Sequence, residues 1–409
     1  MRVAEHIADQ ASDGTSGADA QALFEQARRR RRRRYVWGAV MIVVLVSGLV
    51  LGLLLSFGSG SRAAPANTAT VGGAGARHSV RTVTFGSAFV PQQVVSAAGR
   101  IWVVGSTVPD NLCAIEEVDP ISLRTRTFSL PACGTYLAVG GGRIFLADGV
   151  FTAATDSDAF HVESFDTTTH RAVVMAPVDI TTTGTGYAHM AMAYGGGSLW
   201  LTPWSDEALE VSPSTGAVVA TFTGVPISGG GHPVVAAGQS GLWLAAGVGG
   251  PEVIDRLAPG SMTPVKVFTG AEPGAIWLLA LVGDRVWAEV ANSRDEGRTF
   301  VTRLVAFNGS GQKELEVPFG QLGQSGAVTA SGDELWSLTA GADCSGPQRL
   351  WKIDGRTGKS TVTLTFRTPV VPCPPEFDGS EFAAVGSNVF VLNPSDSPGP
   401  SGVLFRITS

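Results

Sequence analysis

A phrase of small residues, a Gly-containing turn and an aromatic inside an apolar run occurs seven times in this chain. The copies are AAGRIWVVG around Trp102, VGGGRIFLA around Phe145, YGGGSLWLT around Trp200 and AGQSGLWLA around Trp243. LVGDRVWAE around Trp287, ASGDELWSL around Trp336 and VGSNVFVLN around Phe390 complete the series. The aromatics are separated by 43, 55, 43, 44, 49 and 54 residues. A unit of that length, rich in Gly turns and two-residue alternation, is the sequence signature of a propeller blade.

Each unit carries a second hairpin after the aromatic strand. The copies include IEEVDPISLRTRTFSL from Ile115, VESFDTTTHRAVVMAP from Val162 and LWKIDGRTGKSTVTLTF from Leu350. Both flanks alternate apolar and polar, the pattern of a half-buried strand. The Asp, Asn, Ser and Gly between them suit tight turns, because they tolerate or bond the bent backbone. Each unit is therefore expected to form four strands, A to D from the ring centre outward. The chain ends with GVLFRITS, which matches a third strand and then stops. Its missing fourth strand is HSVRTVTFG at the head of the ring, which resembles STVTLTF at Ser360 to Phe366. The expected fold is all-β: a seven-bladed propeller over residues 78–409, one blade shared by both ends so that no sheet edge opens at the closure.

Ahead of the ring lies a different kind of segment. Residues 35–57, YVWGAVMIVVLVSGLVLGLLLSF, contain no charge and are long enough to span a bilayer as one helix. Seven arginines, Arg28 to Arg34, precede them directly. The positive-inside rule then places residues 1–34 in the cytoplasm and the ring outside, as a single-pass protein of the cell membrane. Ala64-Pro65-Ala66 offers the competing reading of a cleaved signal peptide, but the apolar run is longer than such signals carry. Residues 58–77 form a small-residue, flexible linker. Gly48 and Gly52 make a GxxxG pair through which two such helices can pack as a homodimer. Residues 1–34 hold eight Arg and five acids, net +3; the remainder holds 21 basic and 30 acidic residues, net −9. An acidic ring argues against nucleic acid as a partner. Only four of the 29 basic residues are lysine, a usage that accords with a GC-rich bacterial genome.

All four cysteines lie in the ring. Cys113 and Cys133 bracket the C–D hairpin of the first repeat, and Cys344 and Cys373 bracket the same hairpin in the sixth. Two disulfides are expected, Cys113–Cys133 and Cys344–Cys373, in a compartment that permits them. No metal is expected at these cysteines, since structural zinc sites use close pairs. Asp156 and Asp158 have calcium-like spacing without the rest of such a loop.

Variation collects in the B–C and D–A connections, which emerge on one face, whereas the A–B and C–D turns are short and alike. Long loops on a rigid scaffold are where binding usually resides. Two histidines share one repeat position there: His189 and His232 each lie 11 residues before the repeat aromatic. Paired imidazoles can shuttle protons or bind a metal. Tyr136, Trp277, Gln324, Asp378 and Glu381 occupy the corresponding region of other blades and complete the candidate binding set.

The combination of "LWL" with a following V-D-P-x-T-G-like turn resembles the YVTN/streptogramin-lyase type of seven-bladed propellers, over residues 78–409. In the lyase this resemblance implies a magnesium-assisted elimination by His and Glu on the channel face. His189 and His232 match the position of its His-bearing repeats. Tyr187 and Gly230 stand where its paired Glu would be, and Pro203 and Ala245 follow the aromatics where its repeat offers Glu. No cofactor is expected. The leading expectation is a membrane-anchored extracytoplasmic module that binds, senses or scaffolds an envelope protein, peptide or glycan. The alternative is a lyase or hydrolase using His189 and His232.

Overall fold

Alternating apolar and polar residues, punctuated by Gly, Asp and Asn turns, fold the repeats into antiparallel sheets. The computed structural model describes residues 79–85, 88–107, 110, 112–152, 157–180, 190–203, 207–224, 234–245, 253–258, 261, 263–269, 274–294, 299–318, 325–339, 348–366, 382–393 and 403–408. All belong to the compact unit Thr68–Ser409; the unit Met1–Asn67 lies outside the described residues, and with it the tail, the 35–57 span and the Gly48/Gly52 pair. Among the described residues no helix is long and apolar enough to cross a membrane.

Strand β1 (Ser79–Thr84) comes first in the chain and last in the ring. Blade 1 is β2 (Phe89–Ala97), β3 (Arg100–Thr107), β4 (Cys113–Val118) and β5 (Thr125–Ser129). Blade 2 holds β6 (Tyr136–Gly140), β7 (Arg143–Thr152), β8 (Ser157–Asp166), β9 (Arg171–Val174) and β10 (Val178–Ile180). Blade 3 is β11 (Met190–Gly195), β12 (Ser198–Pro203), β13 (Glu207–Val211) and β14 (Val218–Thr223). Blade 4 is β15 (Val234–Gly238), β16 (Gly241–Ala245), β17 (Val253–Leu257) and β18 (Val265–Thr269). Blade 5 is β19 (Gly274–Val282), β20 (Arg285–Arg294), β21 (Thr299–Phe307) and β22 (Lys313–Pro318). Blade 6 is β23 (Ser325–Ser331), β24 (Glu334–Thr339), β25 (Gln348–Asp354) and β26 (Ser360–Phe366). Blade 7 is β27 (Phe382–Val385), β28 (Asn388–Asn393) and β29 (Val403–Thr408), completed by β1. Strand β1 runs antiparallel to β29 from Ser79 opposite Thr408 to Thr84 opposite Val403. The shared-blade closure is thus present, and the first strands meet around the centre until β27 meets β2.

Each repeat aromatic lies on its blade's second strand and packs into the core shared with the next blade. Trp102 joins blade 2 residues Ile144 and Phe165, and Trp287 joins Val328 and Leu335 of blade 6. Phe390 closes the circuit against Val94 and Ile101 of blade 1. Six of the seven aromatics are less than 1 % exposed, and Trp200 is the seventh at 8 %. A buried Trp or Phe is the largest apolar contribution a repeat can make, so the core is distributed between blades rather than within them. The inner strands crowd closely: a Cβ on Gly195 would come within 2.2 Å of the Ala237 carbonyl carbon in the next blade. Only glycine fits that backbone approach.

The C–D turns close as the sequence pattern requires. The Asp119, Asp166 and Asp354 carboxylates accept backbone N–H bonds from the residues two and three positions on. Those bonds, chiefly from Ser122, Thr169 and Thr357, hold the three carboxyls below the ordinary range. The last turn residue is left-handed: Gly358 adopts φ 72°, but in blade 2 the same place is His170 at φ 57°. That conformation costs a side-chain-bearing residue about 1–2 kcal/mol. The imidazole offsets the cost by stacking on Phe128 of blade 1, ring centroids 4.5 Å apart at 16°. His170→Ala keeps the strain and loses the stack, and lowers stability by about 1 kcal/mol; His170→Gly loses the stack but relieves the strain. Urea denaturation should rank the three as His, then Gly, then Ala; Ala above Gly would show that the turn is unstrained.

Arginines tie blades together on this turn face. Arg406 Nη1 donates to the carbonyls of Pro120 and Ile121 at 2.9 and 2.8 Å, linking the last strand to blade 1. Arg143 reaches Pro213 O at 3.0 Å, and Arg285 reaches Arg356 O at 2.6 Å.

One expectation needs correction. The blade 2 hairpin after Val162 reads as a single outer strand, but it breaks after Val174. Met175 turns into the core, Pro177 has no N–H for a ladder, and β10 resumes the pairing with Asp158–Phe160 of the long β8.

Candidate functional site

The B–C and D–A connections share one face, as alternation along the blades requires, and most of their residues lie outside those described. His189, His232, Gln324, Asp378, Glu381, Cys344, Cys373 and Asp156 are among the latter. Tyr136 begins the inner strand of blade 2, opposite Ala147, and packs against the blade 2–3 core. Trp277 is the extra residue at a register shift in β19 of blade 5. These two candidates lie on the inner strands of two different blades.

The described part of this face centres on the connection from blade 1 to blade 2, residues 130–135. It is pinned from every side. The Cys113–Cys133 disulfide forms as expected, with Cα atoms 4.9 Å apart. Leu130 N–H donates to Cys113 O, and Thr135 N–H to Ala147 O, both at 2.9 Å. Gln93 Nε2 donates to Thr135 O at 2.6 Å, and Thr135 Oγ1 to Asp148 Oδ1 at 3.4 Å. Gly134 lies so close to blade 2 that a Cβ there would meet Leu146 Cβ at 2.5 Å.

Beneath the connection lies Glu163, missed in the sequence reading. It sits on β8 opposite Leu146, on the face turned to blade 1 with Ile144 and Phe165. Only 3 % of it is exposed. The Ala132 N–H of the stapled connection bonds its carboxylate, while Oε2 has no partner among the described residues. Burial outweighs that bond and pushes the Glu163 carboxyl up to about 7. His161 and Asp148 stand directly opposite each other one step nearer the loop face, on the same side of the ladder. Exposed His161, half-buried Asp148 and buried Glu163 thus form a polar track from solvent into the junction.

Burial also raises Glu116 of β4 and Asp255 of β17. Glu116 accepts from Thr127 Oγ1 at 2.9 Å. All three carboxylates stand three residues before the C–D turn, where other blades carry Leu209, Val305 and Trp351. The signal was legible: an acid in the apolar register of a strand. Chemically, a carboxyl that takes up a proton near neutrality can either donate or accept a hydrogen bond as pH changes. Among the described residues no group of three or more His, Cys, Asp or Glu is placed to hold a metal ion.

No family model matches this sequence, and no curated protein sequence does. Solved structures align with it. U3-55K aligns at 13 % identity with a TM-score of 0.50, over 81 % of this chain and 98 % of that one. The WD40 repeats of RRP9 align at 12 % identity and 0.49, over 80 % and 97 %. The β-propeller domain of the Trilobed protease from Pyrococcus furiosus aligns at 9 % and 0.48, over 79 % and 94 %. At 13 % identity the likeness to U3-55K shows the fold alone.

Proposed function

We propose that the ring is a non-catalytic binding or scaffold module whose partner docks on the loop-rich face, over the stapled blade 1–2 connection. The observation that carries this reading is the pinning of residues 130–135 by a disulfide and five hydrogen bonds to two blades. A surface segment held that firmly loses little further freedom when a partner lands on it, which is where rigidity gains affinity. The disulfide supports an oxidising location. With the uncharged 35–57 run behind seven arginines, this favours a single-pass anchor, ring outside, and an envelope protein, peptide or glycan as the partner.

The test is chemical cross-linking in native membranes with the intact chain. Exposed positions of the junction are changed in one variant, Pro131→Glu with His161→Glu, and the turn face in another, Arg356→Glu. The cross-linked partner should be reduced about tenfold by the first variant and unchanged by the second, since a charge in a desolvated contact costs on the order of 1.4 kcal/mol or more. Loss with Arg356→Glu alone would place the partner on the turn face and overturn the reading.

A further inference from the structure

Among the described residues, the outermost strand of each blade has one edge without a neighbour in its own sheet, a row of backbone donors and acceptors ready to pair with another chain. Natural sheets blunt such edges with charge. Five of the seven outer strands here do so: Arg81 in β1, Arg126 in β5, Arg171 in β9, Lys266 in β18, and Lys313, Glu314 and Glu316 in β22. Strand β26 has none of its own, but Lys359 stands directly before it. Strand β14 reads VVATFT and is flanked by Ala217 and Gly224. It has no charge, proline or glycine, and it is built from β-branched and aromatic residues, the composition that pairs most readily.

The neutral stretch extends to blade 2. Ala176 N–H donates to Thr215 O at 3.2 Å, and Gly216 abuts Ala176 so closely that a Cβ would fall within 2.8 Å of its nitrogen. The segment that follows β9 and the turn that precedes β14 therefore meet. Val173 and Val174 on one side of this seam are each 55 % exposed; Val218 and Val219 on the other are 45 % and 64 % exposed. Neither 172–178 nor 211–224 contains a charged residue. Four exposed valines beside an unguarded strand edge form one apolar rim across two blades, of the kind that marks an association surface.

We propose that this rim joins two copies of the chain, the free edge of β14 pairing antiparallel with β14 of a second copy and the valines closing over the seam. The second copy is favoured by charge. In a two-fold pairing a strand meets its own sequence, so any charge near its centre faces its own kind. Arg81, Arg126 and Lys266, each near the middle of its strand, would bring like charges together in that arrangement; β14 brings none. Its sequence is also matched to itself, with Val, Thr and Phe available as cross-strand neighbours on both copies.

Thr221 is exposed near the middle of β14, so the two copies' residues 221 would lie close together. The intact chain should sediment at twice its own mass at ~100 µM, and Thr221→Lys or Thr221→Glu should each weaken the dimer about tenfold. An equimolar mixture of the Lys and Glu variants should restore it, because opposite charges then face each other. Circular dichroism of each variant checks that the sheets are intact. A wild-type monomer at that concentration, a dimer unaffected by Thr221→Lys, or a mixture that associates no better than either variant alone would each overturn the proposal. An undiminished Thr221→Lys dimer would assign self-association to another surface, the Gly48/Gly52 pair included.

Discussion

Replacing Cys113 and Cys133 together by serine lowers the stability of the ring by about 3 kcal/mol. The disulfide closes a loop with a sequence separation of 20 residues. The chain-entropy treatment of the unfolded state gives about 3 kcal/mol for a loop of that length. The fold itself should survive. Leu130, Gly134 and Thr135 still bond or pack against blades 1 and 2, and the seven inter-blade cores do not use either sulfur as their main apolar mass. The loss belongs to the junction, so the partner capture proposed for the loop face should weaken along with stability. Urea denaturation of the oxidised wild type and the double-serine variant measures the first effect. A difference below about 1 kcal/mol would mean that the hydrogen bonds alone order the connection, and that the sulfurs constrain little of the unfolded chain. Single serine variants are poorer tests, because each leaves a free thiol open to wrong pairing.

The ring was readable because its architecture is periodic. Trp102 and Phe145 through Phe390 mark second strands, and burial against the next blade follows from the same phrase seven times over. Closure was readable for the same reason: HSVRTVTFG looks like a fourth strand with no blade of its own, and β1 pairs with β29. The Cys113–Cys133 bond followed from bracketing one hairpin. What escaped the reading depends on contacts between repeats, which a repeat-by-repeat alignment averages away. Arg406 reaching Pro120 joins residues far apart in the sequence, and nothing local distinguishes Arg406 from a solvated arginine. His170 looks like an ordinary turn residue until Phe128 of another blade is placed beside it. The break in the blade 2 outer strand shows in the sequence only as Pro177 within a strand-like run. Glu163 is the instructive case. The strand C pattern places it on a buried face, but an acid in an alternating strand is ordinarily taken as the solvent-facing half. Comparison with Leu209 and Val305 at the same register shows which face it occupies.

Burial of Glu163 should make the ring more stable in mild acid than in mild base. Its folded-state carboxyl lies at about 7, above its ordinary value of 4.5, because the blade 1–2 junction desolvates it more than the Ala132 N–H stabilises its charge. A raised carboxyl binds its proton more tightly in the folded chain than in the unfolded one. Its contribution to stability is fully present below pH 4.5, and falls as pH rises until it is exhausted above about 7. At about 1.4 kcal/mol per pH unit, the loss across that window is on the order of 3 kcal/mol. Glu116 and Asp255 are raised by burial and slope the same way, whereas the turn aspartates titrate in more acid solution, so the wild-type curve alone does not isolate Glu163. The difference from Glu163→Gln does. Glutamine has nearly the same shape, can accept the Ala132 N–H, and carries no charge at any pH. The two proteins should be about equally stable at pH 4.5, and Gln should be the more stable at pH 8 by about 2–3 kcal/mol. Asp148 and His161 share the face of the ladder with Glu163, and Gln93 bonds Thr135 of the connection above it, so the comparison is repeated in His161→Gln to separate the carboxyl from the neighbouring imidazole. If Glu163→Gln is instead less stable than wild type at pH 8, the ionised carboxylate is held by a partner that stabilises its charge. The junction would then be an ion-pairing site rather than a desolvated one.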